Sequence, residues 1–326
     1  MRRRVLLLLS VLVMAVVWGL SSCEKMIVDD ESSSSTEQNE VKGNLILKIS
    51  VAGVTPMETT RAEEADLSKF FTRLNIVAYQ NGKKVKGVNQ DDMAENFGTI
   101  GMSLEPGTYQ VLVVAHSSEG NPSLADPSKI DFTNKVGFTD TFFSYSTIEV
   151  KAEAEEHAIT MKRVTSMLRF IINDEIPADV TSFRFLYIGG SAAFDATKDG
   201  VGCEQSQQLV TVEYDASKPA VFDLYTILRK DLKGENIDIN LTVTAYRKNA
   251  ASITKDIKNI PLKPNAITEV SGNFFTDSPG GNDSGGGDNT GGDDTGGGTT
   301  EPEDSISTAF KVTVLTEWAD TLRMKY

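Results

Sequence analysis

The sequence predicts an all-β chain of two tandem antiparallel β-sandwiches, and three observations predict it. Apolar residues recur at every second position in several segments, the longest being Ile237, Ile239, Leu241, Val243 and Ala245. Turn chemistry separates those segments, as in Gln80-Asn81-Gly82-Lys83 and Lys263-Pro264-Asn265. No apolar period near 3.6 residues is sustained anywhere between them.

The N-terminus sets the compartment. Arg2, Arg3 and Arg4 precede an apolar run from Val5 to Val17 that is too short to span a bilayer, which reads as a secretory signal over 1–22. The run ends in Leu20-Ser21-Ser22-Cys23, which resembles a bacterial lipobox, so Cys23 is expected to become the lipidated first residue of the mature chain. The plainer alternative is an ordinary signal peptide with an incidental cysteine. Lipidation of Cys23 leaves only Cys203, so no disulfide can form within the mature chain and burial must supply its stability. Three arginines leave with the signal, taking the formal charge from -14 to -17. Phosphate backbones and anionic headgroups repel such a surface, which argues against a nucleic-acid partner and for reaching the outer membrane through the lipid. Residues 23–42 follow as a flexible tether with an acidic patch, Asp29-Asp30-Glu31, and a serine run, Ser32 to Ser35, similar to the surface-export signals of Bacteroidetes lipoproteins.

The first sandwich is expected over 43–163. Leu45, Leu47, Ile49 and Val51 form one apolar row, and the strand from Leu74 to Tyr79 meets the Asn81-Gly82 pair that suits a two-residue hairpin. Ile100 to Leu104 runs into Glu105-Pro106-Gly107 and out through Tyr109 to Val114 as strand, turn, strand. The second sandwich is expected over 164–276, where Leu168, Phe170 and Ile172 alternate, as do Phe183, Phe185 and Tyr187. Each region is roughly 110 to 120 residues, an ordinary size for one sandwich. Short helical turns are expected at 63–71 and 224–232. Residues 277–304 are Gly- and Asp-rich linker that cannot pack a core, and a coil of that length spans about 25 to 30 Å. It ends in a single patterned strand within 305–326, carrying Phe310, Val312, Val314 and Trp318.

The side chains offer little chemistry. His116 and His157 are the only histidines, neither is followed two, three or four residues on by a histidine or cysteine, and no Gly-x-Ser-x-Gly occurs. His116 is expected at a strand end bonded to nearby backbone, and His157 on the surface. Asp195-Ala196-Thr197-Lys198-Asp199-Gly200 opens like a calcium loop, but its twelfth position is Ser206 where a bidentate Glu is needed, so a tight turn is expected. The Asp residues between Gly280 and Gly298 lack the apolar partners of calcium-binding repeats. The expectation is therefore a non-enzyme with no catalytic residue, no metal and no cofactor. Trp318 and Tyr225 fit a core as readily as a binding platform.

Several stretches resemble Bacteroidetes fimbrillins and the anchor proteins of type V fimbriae. They are Phe71 to Val85, Leu104 to Leu112, Met161-Lys162-Arg163-Val164 and Asn265 to Gly272. The resemblance covers most of the chain and lies in turns and strands. It implies two transthyretin-like sandwiches and a structural role in cell-surface fimbriae that support adhesion, as stalk, tip or membrane-anchor subunit. Family stalk subunits are cut after an arginine, which frees the N-terminal strand and leaves a groove for a strand of the next subunit. Here Arg61-Ala62 matches by position, after the first strand in a polar connection, whereas anchor members keep their lipid without that cut. The implied partners are other fimbrial subunits in a homo- or hetero-polymer, the outer membrane, and a host or bacterial surface ligand. Phe310, Val312, Val314 and Trp318 would form the donor strand, acting either on a neighbour or on the chain's own second sandwich. Asp304-Ser305-Ile306 and Asp320-Thr321-Leu322 resemble the O-glycosylation signal of Bacteroidetes secreted proteins, with Ser305 beside the flexible tract. The alternative function is a surface lipoprotein that binds glycans or host proteins through its sandwich loops.

Overall fold

The computed structural model describes residues 41–52, 66–132, 138–204, 207–229, 237–276 and 310–315. The first part of the chain makes β1 (Leu45–Val51), β2 (Arg73–Gln80), β3 (Lys83–Asp91), β4 (Thr99–Met102), β5 (Gly107–His116), β6 (Ile130–Asp131), β7 (Phe142–Val150) and β8 (Glu155–Arg163). The rest makes β9 (Thr165–Ile172), β10 (Val180–Ile188), β11 (Ala193–Asp195), β12 (Val201–Gly202), β13 (Gln207–Glu213), β14 (Val221–Ile227), β15 (Ile237–Arg247), β16 (Ile253–Leu262), β17 (Ile267–Gly272) and β18 (Phe310–Leu315). The only helical turns among the described residues are two 3-10 turns, Leu67–Lys69 and Ala196–Lys198.

Seven strands run in the order β3-β2-β5-β7-β8-β1-β4. β7 and β8 pair at only two positions, Phe142↔Arg163 and Phe143↔Lys162, and the sheet turns a corner there. The two halves close on one core in which Leu45, Leu47 and Met161 meet Ile76, Val111 and Val113. Asn81 and Gly82 link β2 to β3 with φ of 52° and 73°, the doubly left-handed geometry that Asn-Gly adopts readily.

A second core lies between the sheets β13-β10-β15-β16 and β14-β9-β17-β18. It is aromatic: Phe170, Phe183, Phe185, Phe222 and Phe274 are all buried and touch one another at ring-centroid distances of 5.0 to 6.4 Å. The all-β sandwich class thus describes the chain. Among the described residues pairing is antiparallel except for two parallel ladders, β1 on β8 and β17 on β9, and one isolated parallel bridge, Gly202↔Arg229.

A third core joins the first sheet to the later half of the chain. The outer faces of β2, β5 and β7 present Val77, Tyr79, Leu112, Val114 and Phe143, which pack on Leu124, Ile130, Phe132, Phe194, Ala196 and Ile227. β6 pairs with β11 across this layer. β2 and β5 are therefore buried on both faces, which is why Ile76-Val77-Ala78-Tyr79 and Val111 to Ala115 are continuous apolar runs. Where the chain crosses between the cores, Arg163 forks Asp140 through Nε at 2.9 Å and Nη2 at 3.0 Å, and the Thr165 hydroxyl donates to the same carboxylate at 2.8 Å. A carboxylate bonded by three such donors fixes the direction of the crossing.

Of the two expected helical turns, the one within 63–71 is present and the one within 224–232 needs correction. Among the described residues of 63–71 the turn is Leu67–Lys69, capped by the Asp66 carboxylate accepting from Ser68 N. Within 224–232 the described part is strand, because Phe222, Leu224 and Thr226 alternate inward with Asp223 and Tyr225 between them. Asp195-Ala196-Thr197-Lys198-Asp199-Gly200 is a tight turn as expected. Asp195 accepts from Thr197 N at 2.9 Å and pairs with Lys198, while Asp199 and Gly200 take φ of 65° and 81°. Ser206, like residues 63–65 and 230–232, lies outside the described residues.

Candidate functional site: the two terminal strands

β1 lies between β8 and β4, so both of its edges are paired. Its parallel register with β8 runs from Leu45↔Glu155 to Val51↔Met161, and its antiparallel register with β4 from Leu45↔Met102 to Lys48↔Thr99. Leu45 and Leu47 are fully buried and Val51 nearly so, the expected inward row, whereas Lys48 faces out to Glu156 at 2.8 Å. The end of β1 opens on a cleft of about 380 Å³ lined by Ala52, Phe143, Tyr145, Thr160, Lys162 and Asp199, where Lys162 and Asp199 are ion-paired.

β18 has a different setting. It pairs antiparallel with β17 from Gly272↔Phe310 to Ile267↔Leu315 and forms the edge of its sheet among the described residues. The Phe310 ring is buried 5.5 Å from Phe170. Val312 and Val314 are half-buried, Lys311 and Leu315 exposed. Of the four proposed donor residues, three therefore occupy one strand on the chain's own second core, and Trp318 lies outside the described residues.

The chain leaves β17 through a clamp that sequence reading missed. Asp174, just after β9, accepts from the backbone N–H groups of Phe274 at 2.8 Å and of Phe275 and Thr276 at 2.7 Å each. Burial alone would raise the carboxyl pKa, but these three donors and the Thr276 hydroxyl hold it below the ordinary value. The contact bridges 100 residues, and no local pattern marks it.

His116 is fully buried. Its Nδ1 accepts from Ser118 N at 3.1 Å, the expected backbone bond, and its Nε2 donates to Asn75 Oδ1 at 2.8 Å. Asn75 Oδ1 acts as the acceptor because its Nδ2 already donates to Asn89 and Asn121. Burial, with Arg73 nearby, lowers the ring's pKa to about 4, so it stays neutral. His157 is half-buried on β8, 3.9 Å from Glu155. Tyr225 is half-buried and packs against Met167 and Ile267. Among the described residues no group of three acids, histidines or cysteines is close enough to hold a metal, and no helix is long and apolar enough to cross a membrane. Cys23, Arg61, Ala62 and Ser305 lie outside the described residues.

These features define the class of protein: an all-β chain with two sandwich cores, one terminal strand enclosed and the other at an edge. The model of a family of unknown function, DUF6562, matches residues 35–287, and the chain belongs to that family. No curated protein matches the sequence. Among solved structures, the chain is similar to a candidate adhesin from Bacteroides ovatus at 14% identity and a TM-score of 0.43, covering 71% of this chain and 88% of that one. It is similar to the fimbrial anchor protein Mfa2 from Porphyromonas gingivalis at 13% identity and a TM-score of 0.36, covering 70% and 88%. A fimbrial assembly protein from Parabacteroides distasonis matches at 14% identity and 0.34, covering 70% and 89%.

Proposed function

We propose that the chain is a structural and adhesive subunit of a cell-surface fimbrium, made as a precursor lipidated on Cys23 and joined to other subunits by β-strand exchange once that N-terminal segment is cut away. In this reading the sandwiches span 43–163 and 164–276, Ser305 carries an O-linked glycan, and cleavage between Arg61 and Ala62 frees β1. The carrying observation is the contrast between the two terminal strands. β1 fills a closed position with an apolar row, so its departure leaves a groove of matching period between β4 and β8. β18 sits at an edge with only Phe310 deeply buried, and residues 273–309 separate it from β17, so its departure takes one deeply buried side chain from the second core. Backbone groups supply affinity in such strand addition and alternate side chains supply register.

The experiment is limited proteolysis with a trypsin-like enzyme, followed by native gels of the full chain and of a chain lacking 310–326. The full chain is expected to form a ladder of polymers once Ala62 is the new N-terminus, and the truncated chain to remain a folded monomer. A truncated chain that polymerises as before, or that unfolds, overturns the donor role. Fatty-acid labelling that persists in Cys23→Ala overturns lipidation of the precursor.

A further inference from the structure

The outer face of the sheet β13-β10-β15-β16 carries a row that crosses all four strands: Thr211, Arg184, Thr244 and Thr254. Phe183, Phe185 and Val243 fill the opposite face, so the row points away from the core. Thr211 and Thr254 are exposed, and the hydroxyls of Thr244 and Thr254 lie 3.1 Å apart. Arg184 is half-buried, its guanidinium carbon 5.7 Å from the centroid of the Tyr246 ring.

Arg184 differs from the other described arginines. Arg163 forks Asp140, Arg169 forks Asp223 at 2.7 and 2.8 Å, Arg247 pairs with Asp179 at 2.8 Å, and Arg73 donates to the Glu119 carbonyl at 3.0 Å. Arg229 is also partnered. Arg184 makes no ion pair among the described residues, and its Nε is buried without an acceptor. The acids beside the row do not supply one. Glu213 sits opposite Ser182, and Asp256 takes the Thr242 hydroxyl at 2.5 Å. A guanidinium has five donors in a planar fork, and stacking on Tyr246 orients that plane without satisfying any of them.

We propose that this face binds an acidic oligosaccharide laid across the strands, with the carboxylate of one uronic acid forked by Arg184 and hydroxyls of that unit and its neighbours bonded by Thr211 on one side and Thr254 on the other. A carboxylate matches the guanidinium fork in two parallel bonds. Threonine hydroxyls both donate and accept, as sugar hydroxyls require, and exposed Leu209 in the next row offers an apolar surface for the C–H face of a pyranose. An acidic peptide fits less well, since peptide recognition by sheets uses an open edge or side-chain pockets, whereas this row lies on the face.

The test is calorimetric titration of the full chain with oligogalacturonate, a neutral galactose oligomer of equal length, and poly-glutamate. Oligogalacturonate is expected to bind, the neutral oligomer at least about tenfold more weakly for want of the charge-assisted fork, and poly-glutamate about tenfold more weakly because it brings no hydroxyls to Thr211 and Thr254. Arg184→Gln is expected to lose about tenfold or more, and Arg184→Lys part of that, because an ammonium cannot fork. Thr211→Val, expected to weaken binding about threefold, decides the matter should the Arg184 variants fail to fold. Absent oligogalacturonate binding, equal binding of either control, or unchanged affinity in Arg184→Gln or Thr211→Val overturns the proposal.

Discussion

β1 and β18 are both single apolar rows at the ends of the described chain, yet their surroundings give them opposite energetics. β1 is hydrogen-bonded along both edges and contributes Leu45, Leu47 and Val51 to a closed core. β18 is bonded along one edge and contributes Phe310, with Val312 packed at the margin. Alternation alone shows that a strand has an inner face. How firmly it is held depends on the number of paired edges and on how many inward residues are enclosed.

The largest expected effect tests the enclosed strand. Leu47→Ala should lower stability by about 3 kcal/mol, the usual cost of a fully buried leucine, measured by denaturant unfolding of the first core. Phe310→Ala should cost about 2 kcal/mol because the ring sits at a sheet edge that can relax. Its signature is local: hydrogen exchange should accelerate in β17 and β18 while β9 and β10 stay protected. If Phe310→Ala instead unfolds the second core as a whole, β18 is integral and the contrast between the two strands fails.

The smallest effect sharpens the comparison at the clamp. The Asp174 carboxyl is held below its ordinary pKa in the folded chain, so its contribution is present above the unfolded value near 4 and is lost as pH falls through that value and below it. Asp174→Asn should cost about 1 kcal/mol at neutral pH and remove this acid dependence, read as pH-dependent exchange at Phe274, Phe275 and Thr276. An unchanged acid profile in the variant would assign the pH response to other carboxylates.

Much of this was legible in the sequence. The bounds of β1 and β15 follow from Leu45 to Val51 and from Ile237 onward, where polar residues mark the outer face, and Asn81-Gly82 gave its hairpin. The third core was harder to foresee. Ile76-Val77-Ala78-Tyr79 and Val111 to Ala115 lack polar alternation, which signals burial on both faces, but nothing local says that Phe194 and Ile227 provide the cover. The helical expectation at 224–232 overlooked Phe222-Asp223-Leu224, a period of two. At the candidate site the apolar rows were visible. The Asp174 clamp and the unpaired Arg184 were not, since each depends on partners, or their lack, brought together by the fold.

The parallel seating of β1 also bears on timing. Its partner in β8 is distant along the chain, with Ser50 and Thr160 separated by 110 positions, so β1 emerges first and acquires its second neighbour last. Closing so long a loop slows folding far more than it alters final stability. A delay in synthesis or export between Val150 and Arg163 would prolong the interval in which an apolar row stands half-paired, open to strands of other chains.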